Sequence, residues 1–310
     1  MESQDKWNKD PLLIWLNGGP GCSSLLGYIM ENGPCVFDDA NYTIFDNPHP
    51  WNNRLNVLYI EGPAGVGFSR GTTTADKTHN DITSSYDFLE ALKSFYLKFP
   101  EFVGRDLYIS GESYAGIYVP YFALRVHQYN QNARVLNQTL MNLKGILVGN
   151  AATNWHFDGE PAYFETAFMH NILSQEQYYQ WRDSGCSFFH GDVLPGNWSM
   201  DCDFALTQFF KNMEKVNIYD MYRPYDADFD NVTKGKTTVN GEEVEYDRGF
   251  TMQQYTPWIK ITQDASLKRL GFTAADYLNR QNVKELLHIT GTKDKKWEAC
   301  TSDPTWKYNF

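Results

Sequence analysis

Four short apolar segments in the first half of the chain each end at a glycine-containing turn. A buried strand of a parallel sheet is a continuous apolar run of this length, and glycine permits an abrupt turn at its end. The segments are residues 12–16 before the turn 17–21, 57–60 before 61–63, 107–110 before 111, and 145–148 before 149–150. This pattern predicts four strands of a largely parallel sheet, with the functional residues at the carboxyl ends of the strands.

The segments between these runs have the periodicity of amphipathic helices. From residue 81 to 99, and again from 114 to 129, apolar residues recur at steps of three and four positions, which is the spacing of one helix face. Because strands alternate with helices, the chain is predicted to have an α/β fold with a doubly wound sheet.

The alternation stops after Asn150. Residues 151–277 are rich in aromatic and charged residues and in short helical patterns, and they contain no clear strand pattern. We therefore interpret them as a helical, lid-like insertion. Residues 1–150 then form the N-terminal part of the core, and residues 278–310, with a helical pattern at 281–289, return to the core.

The charge of the chain argues against one class of partner. Lys and Arg total 27 against 38 Asp and Glu, so the net charge is −11, whereas nucleic-acid binding relies on clustered cations. The chain has no run of about 18 apolar residues, and its first ten residues are too polar for the apolar core of a signal peptide. We expect no nucleic-acid partner, no membrane span and no export signal within these 310 residues.

Two features nevertheless favour a location outside the cytosol. Four Asn-x-Ser/Thr sequons could carry glycans. They lie at Asn41, Asn137, Asn197 and Asn231. The five cysteines have neither a CxxC pair nor zinc-finger spacing, which leaves disulfides or buried thiols as their uses. An odd number leaves at least one cysteine unpaired.

Ser113 is the candidate nucleophile. It lies in the segment GESYAG at residues 111–116, between the third apolar run and a helical pattern. A serine at such a strand-to-helix turn exposes its hydroxyl, and the N-terminus of the following helix favours developing negative charge. A serine between small residues can also belong to an ordinary turn, so this segment alone leaves both interpretations open.

Three segments together resemble the signature blocks of the serine carboxypeptidases, in the order of that family. They are WLNGGPGCSS at 15–24, EGPAGVGFS at 61–69 and GESYAG at 111–116. Residues 31–34, 149–150 and 283–288 are also similar to family segments, so the resemblance covers nearly the whole chain. It implies an α/β-hydrolase fold and a serine-type carboxypeptidase that releases C-terminal residues from peptides and proteins, at acidic pH and without a metal or cofactor.

The resemblance implies a role for each residue around the nucleophile. Ser113 matches the residue that attacks the scissile carbonyl, and the backbone N–H groups of Gly19 and Tyr114 match the oxyanion hole. The position of Tyr114 agrees with the general rule that one donor comes from the residue after the nucleophile.

Four residues match the family's site for the substrate's terminal carboxylate. They are Asn17, Gly18, Glu31 and Glu112. Two glutamates beside a carboxylate repel it when ionised, but each donates a hydrogen bond when protonated. Glu31 on its own is equally consistent with a surface charge at a helix end.

The resemblance also implies two disulfides, Cys22 with Cys300 and Cys186 with Cys202, and leaves Cys35 free. It places the protein in a lysosome or vacuole, or outside the cell.

The catalytic acid and histidine of this fold follow the nucleophile in chain order. Five histidines lie downstream of Ser113, and none is in a segment that resembles the family's catalytic-histidine block. They are His127, His156, His170, His190 and His288. We expect the family sequence to extend beyond both ends of this chain, no histidine imidazole within about 3.5 Å of the Ser113 hydroxyl, and no useful peptide hydrolysis by these 310 residues alone.

Two alternatives stay open beside the peptidase. One is a catalytically silent carboxypeptidase-like protein that binds peptides or other partners. The other is an acyltransferase of the same family, against which Glu112 argues because those relatives tend to carry Asp at this position.

Overall fold

The structure is a computed structural model that describes residues 1–38, 43–154, 158, 160–183, 200–213, 216, 221, 234–239, 242–247, 274–289 and 295–309. The chain forms two compact units. The first consists of Met1–Thr153 and Gly271–Phe310, and the second of Asn154–Leu270.

A four-stranded parallel sheet forms the centre of the first unit. Its strands are β1 (Leu12–Leu16), β4 (Asn56–Tyr59), β6 (Leu107–Glu112) and β7 (Leu143–Gly149). The spatial order is β4-β1-β6-β7, and each neighbouring pair is parallel. Strand β1 lies in the middle and is buried along its whole length, as its five apolar residues require. The four strands predicted from the apolar runs are confirmed.

Two short strand pairs complete the described strands of this unit. Strands β2 (Cys35–Asp38) and β3 (Thr43–Asp46) are antiparallel. Strands β5 (Thr78–Asn80) and β10 (Lys307–Asn309) are parallel, although they lie at opposite ends of the chain. None of these four segments is a continuous apolar run like those of the central sheet, so the sequence did not indicate them.

Two long helices follow the strands as predicted. Helix α1 is Asp81–Lys98, and helix α2 is Ala115–Val135. Asn80 caps α1 through a capping box with Thr83, which satisfies two backbone donors at the helix start. The helices pack against each other through Phe88, whose ring centroid lies 5.4 Å from that of Tyr118 and 5.7 Å from that of Phe122.

The second unit contains three described helices and a hairpin. The helices are α3 (Glu160–Met169), α4 (Gln175–Asp183) and α5 (Met200–Met213). They share an aromatic core in which Phe164 stacks on Trp181 at 4.4 Å and on Phe209 at 4.1 Å.

Strands β8 (Lys234–Val239) and β9 (Glu242–Asp247) are antiparallel. The expectation of no clear strands between residues 151 and 277 is therefore wrong. The overlooked signal is the Asn240–Gly241 dipeptide between two runs of β-forming residues, since Asn-Gly favours the turn of a two-residue hairpin.

Two short helices lead back into the first unit, α6 (Ala274–Leu278) and α7 (Gln281–Leu286). Together with Trp297, which is 1% exposed, they pack against Phe37 and Phe68. Among the described residues, no helix has the length and apolar character that a membrane span requires.

Candidate active site

Ser113 lies at the sharp turn between β6 and α2. Its φ is +59°, a left-handed conformation that is unfavourable for a residue with a Cβ atom. Ser113 is exposed to solvent. Three backbone hydrogen bonds hold the turn: the Ser113 N–H donates to the Gly149 carbonyl at 3.1 Å, and the Ser113 carbonyl accepts from the N–H groups of Gly116 at 2.9 Å and Ala152 at 3.0 Å. The strained residue is thus fixed from both sides, as is common at functional sites.

Glycines let three segments close tightly around this turn. A Cβ atom on Gly111 would lie 2.4 Å from the Leu16 carbonyl oxygen, and one on Gly18 would lie 2.4 Å from the Tyr114 backbone nitrogen. Both separations are shorter than any non-bonded contact a Cβ makes. Gly18, predicted to bind a carboxylate, therefore packs its backbone directly against the turn that carries Ser113.

The two backbone donors assigned to an oxyanion hole lie on these adjoining turns. Gly19 is exposed and has a φ of +114°, which favours glycine. Its N–H donates to no residue that the structure describes. Tyr114 follows Ser113, and its side chain is buried.

The side chain of Tyr114 is anchored from two distant parts of the chain. Its hydroxyl donates to Asp81 Oδ1 at 2.8 Å, and the Tyr308 hydroxyl donates to the same oxygen at 2.8 Å. Burial, followed by the Asp81 hydrogen bond and charge, raises the pKa of Tyr114 above its usual range. Asp81 and Tyr308 lie far from Tyr114 in the chain and match no motif, so this cluster could not be predicted from the sequence.

Asn17 joins the two predicted glutamates. Its side-chain nitrogen donates to Glu31 Oε1 at 3.0 Å and to Glu112 Oε1 at 2.9 Å. Its side-chain oxygen accepts from Trp15 Nε1 at 2.9 Å and from the Gly27 N–H at 3.1 Å. Both amide hydrogens and the carbonyl oxygen are therefore in use, and the two N–H donors fix which side of the amide is oxygen.

The two carboxyl groups come from different elements. Glu31 ends a π-helical turn, Gly27–Glu31, and Glu112 ends β6. Burial and, second, the charge of Glu112 raise the pKa of Glu31 to about 7, although the Asn17 hydrogen bond opposes this rise. At neutral pH the Glu31 carboxyl is thus divided between its protonated and ionised forms. The interpretation of Glu31 as a solvated surface charge is not consistent with this placement.

A further half-buried glutamate, Glu61, was not predicted to be important. Glu61 Oε1 accepts from the Ser23 hydroxyl and from Trp297 Nε1 at 2.9 Å, and Oε2 accepts from the Phe68 N–H at 2.8 Å. A Cβ on Gly67 would lie 1.7 Å from Glu61 Oε1, so only glycine fits there. Burial raises the pKa of Glu61.

The described histidines of this unit do not provide a partner for Ser113. In the unit that contains Ser113, no described histidine hydrogen-bonds to the Ser113 side chain. His127 lies on α2 and pairs with Gln131 at 3.0 Å, and His288 has a φ of +55° at the end of α7. His156 and His190 lie outside the described residues, so the expectation that no histidine imidazole lies within about 3.5 Å of the Ser113 hydroxyl stays a prediction.

The disulfide between Cys22 and Cys300 is present, with a Cα–Cα distance of 3.9 Å, and Cys35 is free. The pairing of Cys186 with Cys202 involves a residue outside the described part of the chain. Among the sequons, Asn137 is exposed in a turn with a φ of +51°. Asn41, Asn197 and Asn231 lie outside the described residues.

Known proteins are similar to the chain along its whole length. A family model described as serine carboxypeptidase matches residues 1–310. Serine carboxypeptidase-like 26 of Oryza sativa subsp. japonica is 34% identical over 310 residues, which cover 97% of this chain and 60% of that protein. Serine carboxypeptidase ctsa-4.1 of Caenorhabditis elegans is 32% identical over 308 residues, covering 97% of this chain and 61% of that protein.

A solved structure is similar in fold. It is KEX1(delta)p, a prohormone-processing carboxypeptidase from Saccharomyces cerevisiae, with a TM-score of 0.61 and 21% sequence identity. The match covers 97% of this chain and 60% of that chain. The chain therefore spans about 60% of the length of these relatives.

Proposed function

Because the chain belongs to the serine carboxypeptidase family and has its α/β-hydrolase fold, we propose that the protein releases C-terminal residues from peptides through an acyl-enzyme at Ser113. The activity is proposed for the whole protein, since the chain covers about 60% of its relatives. The observation that carries the proposal is the exposed Ser113 at a φ of +59° between β6 and α2.

The proposed chemistry begins with attack by the Ser113 hydroxyl oxygen on the scissile carbonyl carbon. A general base accepts the hydroxyl proton and returns a proton to the leaving amine, and water then hydrolyses the acyl-enzyme. The N–H groups of Gly19 and Tyr114 donate to the oxygen that becomes negative. This assignment is supported by the contact between the Gly18 backbone and the Tyr114 nitrogen.

The terminal carboxylate of the substrate is proposed to bind at Asn17, Gly18, Glu31 and Glu112. Among the described residues, Asn17 is the only side chain hydrogen-bonded to either glutamate. Protonated glutamates supply the missing donors to an incoming carboxylate, and the raised pKa of Glu31 keeps its proton in place in acid. The proposed optimum is therefore acidic.

The disulfide of this chain supports a location in an oxidising compartment. The Cys22–Cys300 disulfide persists in secretory, lysosomal or vacuolar environments and is rare in the cytosol. The exposed sequon at Asn137 is compatible with the same route. We propose a secreted, lysosomal or vacuolar protein.

Labelling with an organophosphonate tests the nucleophile. The purified whole protein is expected to be labelled at Ser113, and Ser113→Ala to abolish labelling and lower kcat about 10⁶-fold with an unchanged Tm. Ser94→Ala, which removes an exposed hydroxyl on α1, is the matched control and keeps full labelling.

Each other outcome identifies an alternative. Labelling of another serine overturns the assignment. An unlabelled, folded protein that still binds peptides favours the silent binding protein. A labelled protein that transfers acyl groups without releasing C-terminal residues favours the acyltransferase.

The carboxylate site is tested through the pH dependence of KM. For a peptide with a free C-terminus, KM is expected to rise about tenfold between about pH 5 and about pH 8 as Glu31 loses its proton. Glu112→Gln keeps a donor at every pH and flattens this rise. Glu90→Gln, an exposed position on α1, leaves the wild-type profile. An unchanged profile in Glu112→Gln would exclude this role.

A further inference from the structure

A cavity of about 480 Å³ lies in the first unit, between the loop that follows β4 and the segment before β10. Three glycines of the first loop and residues 295–303 of the second segment contribute to its walls. The Thr301 N–H donates to the Gly21 carbonyl at 2.9 Å, so the cavity borders the turn that carries Gly19 and Cys22 while using none of the proposed catalytic residues.

The lining of this cavity is basic on an acidic chain. Among the described residues, the lining contains four cations, Arg70, Lys77, Lys295 and Lys296, and two anions, Glu298 and Asp303. The chain as a whole carries a net charge of −11. Cations concentrated in one concave surface focus a positive potential there, which attracts anionic ligands.

Both acidic groups of the lining are already engaged. Asp303 Oδ2 accepts from Lys77 Nζ at 2.7 Å, and Glu298 Oε2 accepts from the N–H and the hydroxyl of Ser302 at 3.0 and 2.7 Å. The pKa of Asp303 and of Glu298 is lowered by these hydrogen bonds, so both stay ionised and act as fixed acceptors for their present donors.

The cations differ in how they are held. Lys295 Nζ donates to the carbonyl oxygens of Gly65, at 2.9 Å, and Ser69. These two hydrogen bonds hold the Lys295 amino group against the cavity wall. Arg70 and Lys296 are exposed and form no ion pair or side-chain hydrogen bond with any residue that the structure describes. Their guanidinium and ammonium donors are therefore available to a ligand.

From this arrangement we infer that the cavity binds a ligand bearing a phosphate or sulfate group, with Arg70 and Lys296 as its direct donors. An arginine fork and a lysine ammonium are the donors that oxyanions prefer. A volume of about 480 Å³ falls in the range of small-molecule sites and far exceeds that of one ion, so the oxyanion belongs to a larger molecule.

Calorimetric titration with O-phosphoserine at constant ionic strength tests this inference, with serine as the comparison that lacks only the phosphate group. The wild-type protein is expected to bind O-phosphoserine saturably and serine not at all. R70Q/K296Q is expected to bind at least about tenfold more weakly, because both charge-assisted contacts are lost. R134Q/K9Q, which removes two exposed cations elsewhere, is expected to bind like the wild type.

A second variant covers the case in which R70Q/K296Q does not fold. Ser302→Asp adds a negative charge to the lining at an exposed position and is expected to weaken binding to the same degree. The inference is overturned if the wild type does not bind O-phosphoserine, or if a folded R70Q/K296Q or Ser302→Asp binds it with unchanged affinity.

A phosphoserine hexapeptide with an amidated C-terminus distinguishes the source of the phosphate group. Binding about tenfold tighter than that of O-phosphoserine identifies a phosphorylated peptide, and equal binding identifies a small phosphate ester. Both results support the cavity as a site. Because the readout is affinity and the peptide is amidated, the result does not depend on Ser113 or on the proposed carboxylate site.

Discussion

Two clusters of half-buried glutamates in the same unit differ in how completely their carboxyl oxygens are hydrogen-bonded. Glu61 accepts hydrogen bonds from Ser23, Trp297 and the Phe68 backbone. Glu31 and Glu112 share the single side-chain nitrogen of Asn17. Burial raises the pKa of both Glu61 and Glu31, so the direction of the shift alone does not separate the two clusters.

The number of donors separates them. A buried carboxyl with three donors is satisfied by the protein itself and joins the segments that supply them. Two carboxyls with one shared amide have acceptors in excess, and a proton or a ligand must supply the remaining hydrogen bonds. We therefore interpret the Glu61 cluster as structural and the Asn17 cluster as a binding site, and three experiments test this distinction.

The largest expected effect comes from the disulfide beside the Glu61 cluster. Cys22 and Cys300 are separated by 278 residues, so removing the cross-link frees a very long loop in the unfolded state. The double variant Cys22→Ala/Cys300→Ala is expected to lose about 5 kcal/mol of unfolding free energy in the chain-entropy model. Urea unfolding measures this loss, and Cys35→Ala, at the free cysteine, serves as the control. A loss equal to that of the control would show that the Cys22–Cys300 cross-link does not stabilise the folded chain.

Removal of the Glu61 carboxyl is the next test. Glu61→Ala leaves three donors without an acceptor and is expected to lower the free energy of unfolding by about 4 kcal/mol. Glu112→Ala is the matched variant and is expected to change it by less than about 1 kcal/mol, because it also relieves repulsion with Glu31. Similar losses in both variants, measured by urea unfolding, would remove the distinction between the clusters.

The smallest expected effect is a pH dependence from Glu31. Its pKa is about 7 in the folded chain against 4.5 for the ordinary group, so the folded state binds its proton more tightly. The resulting stabilisation is complete below about pH 4.5 and is lost as pH rises through about 7. The loss is on the order of 3 kcal/mol.

Urea unfolding at several pH values isolates this contribution. Glu31→Gln cannot titrate and is expected to remove the Glu31 part of the slope, while Glu90→Gln keeps it. A slope in Glu31→Gln as steep as that of the wild type would place the titrating group elsewhere.

The fold was predictable where the signal is local. Continuous apolar runs indicated the four parallel strands, and spacing of three and four residues indicated α1 and α2, because burial of one strand or one helix face follows from residue order over a short window. Helix α2 is longer than predicted: it ends at Val135, whereas the sequence pattern ended at Tyr129. Strands β5 and β10 could not be predicted, because three-residue segments pair only when the rest of the chain brings them together.

The candidate site divides in the same way. The sequence by itself determined a serine at a strand-to-helix turn. Family resemblance predicted the Cys22–Cys300 pair, which is present, and the residues of the proposed carboxylate site. Only the tertiary structure decided which distant residues form hydrogen bonds. Asn17 donates to Glu112, 95 residues away in the chain, and Trp297 donates to Glu61, 236 residues away. Hydrogen bonds between distant residues, and the pKa shifts that burial causes, depend on which surfaces pack together. That packing is a property of the whole fold, and no short stretch of sequence specifies it.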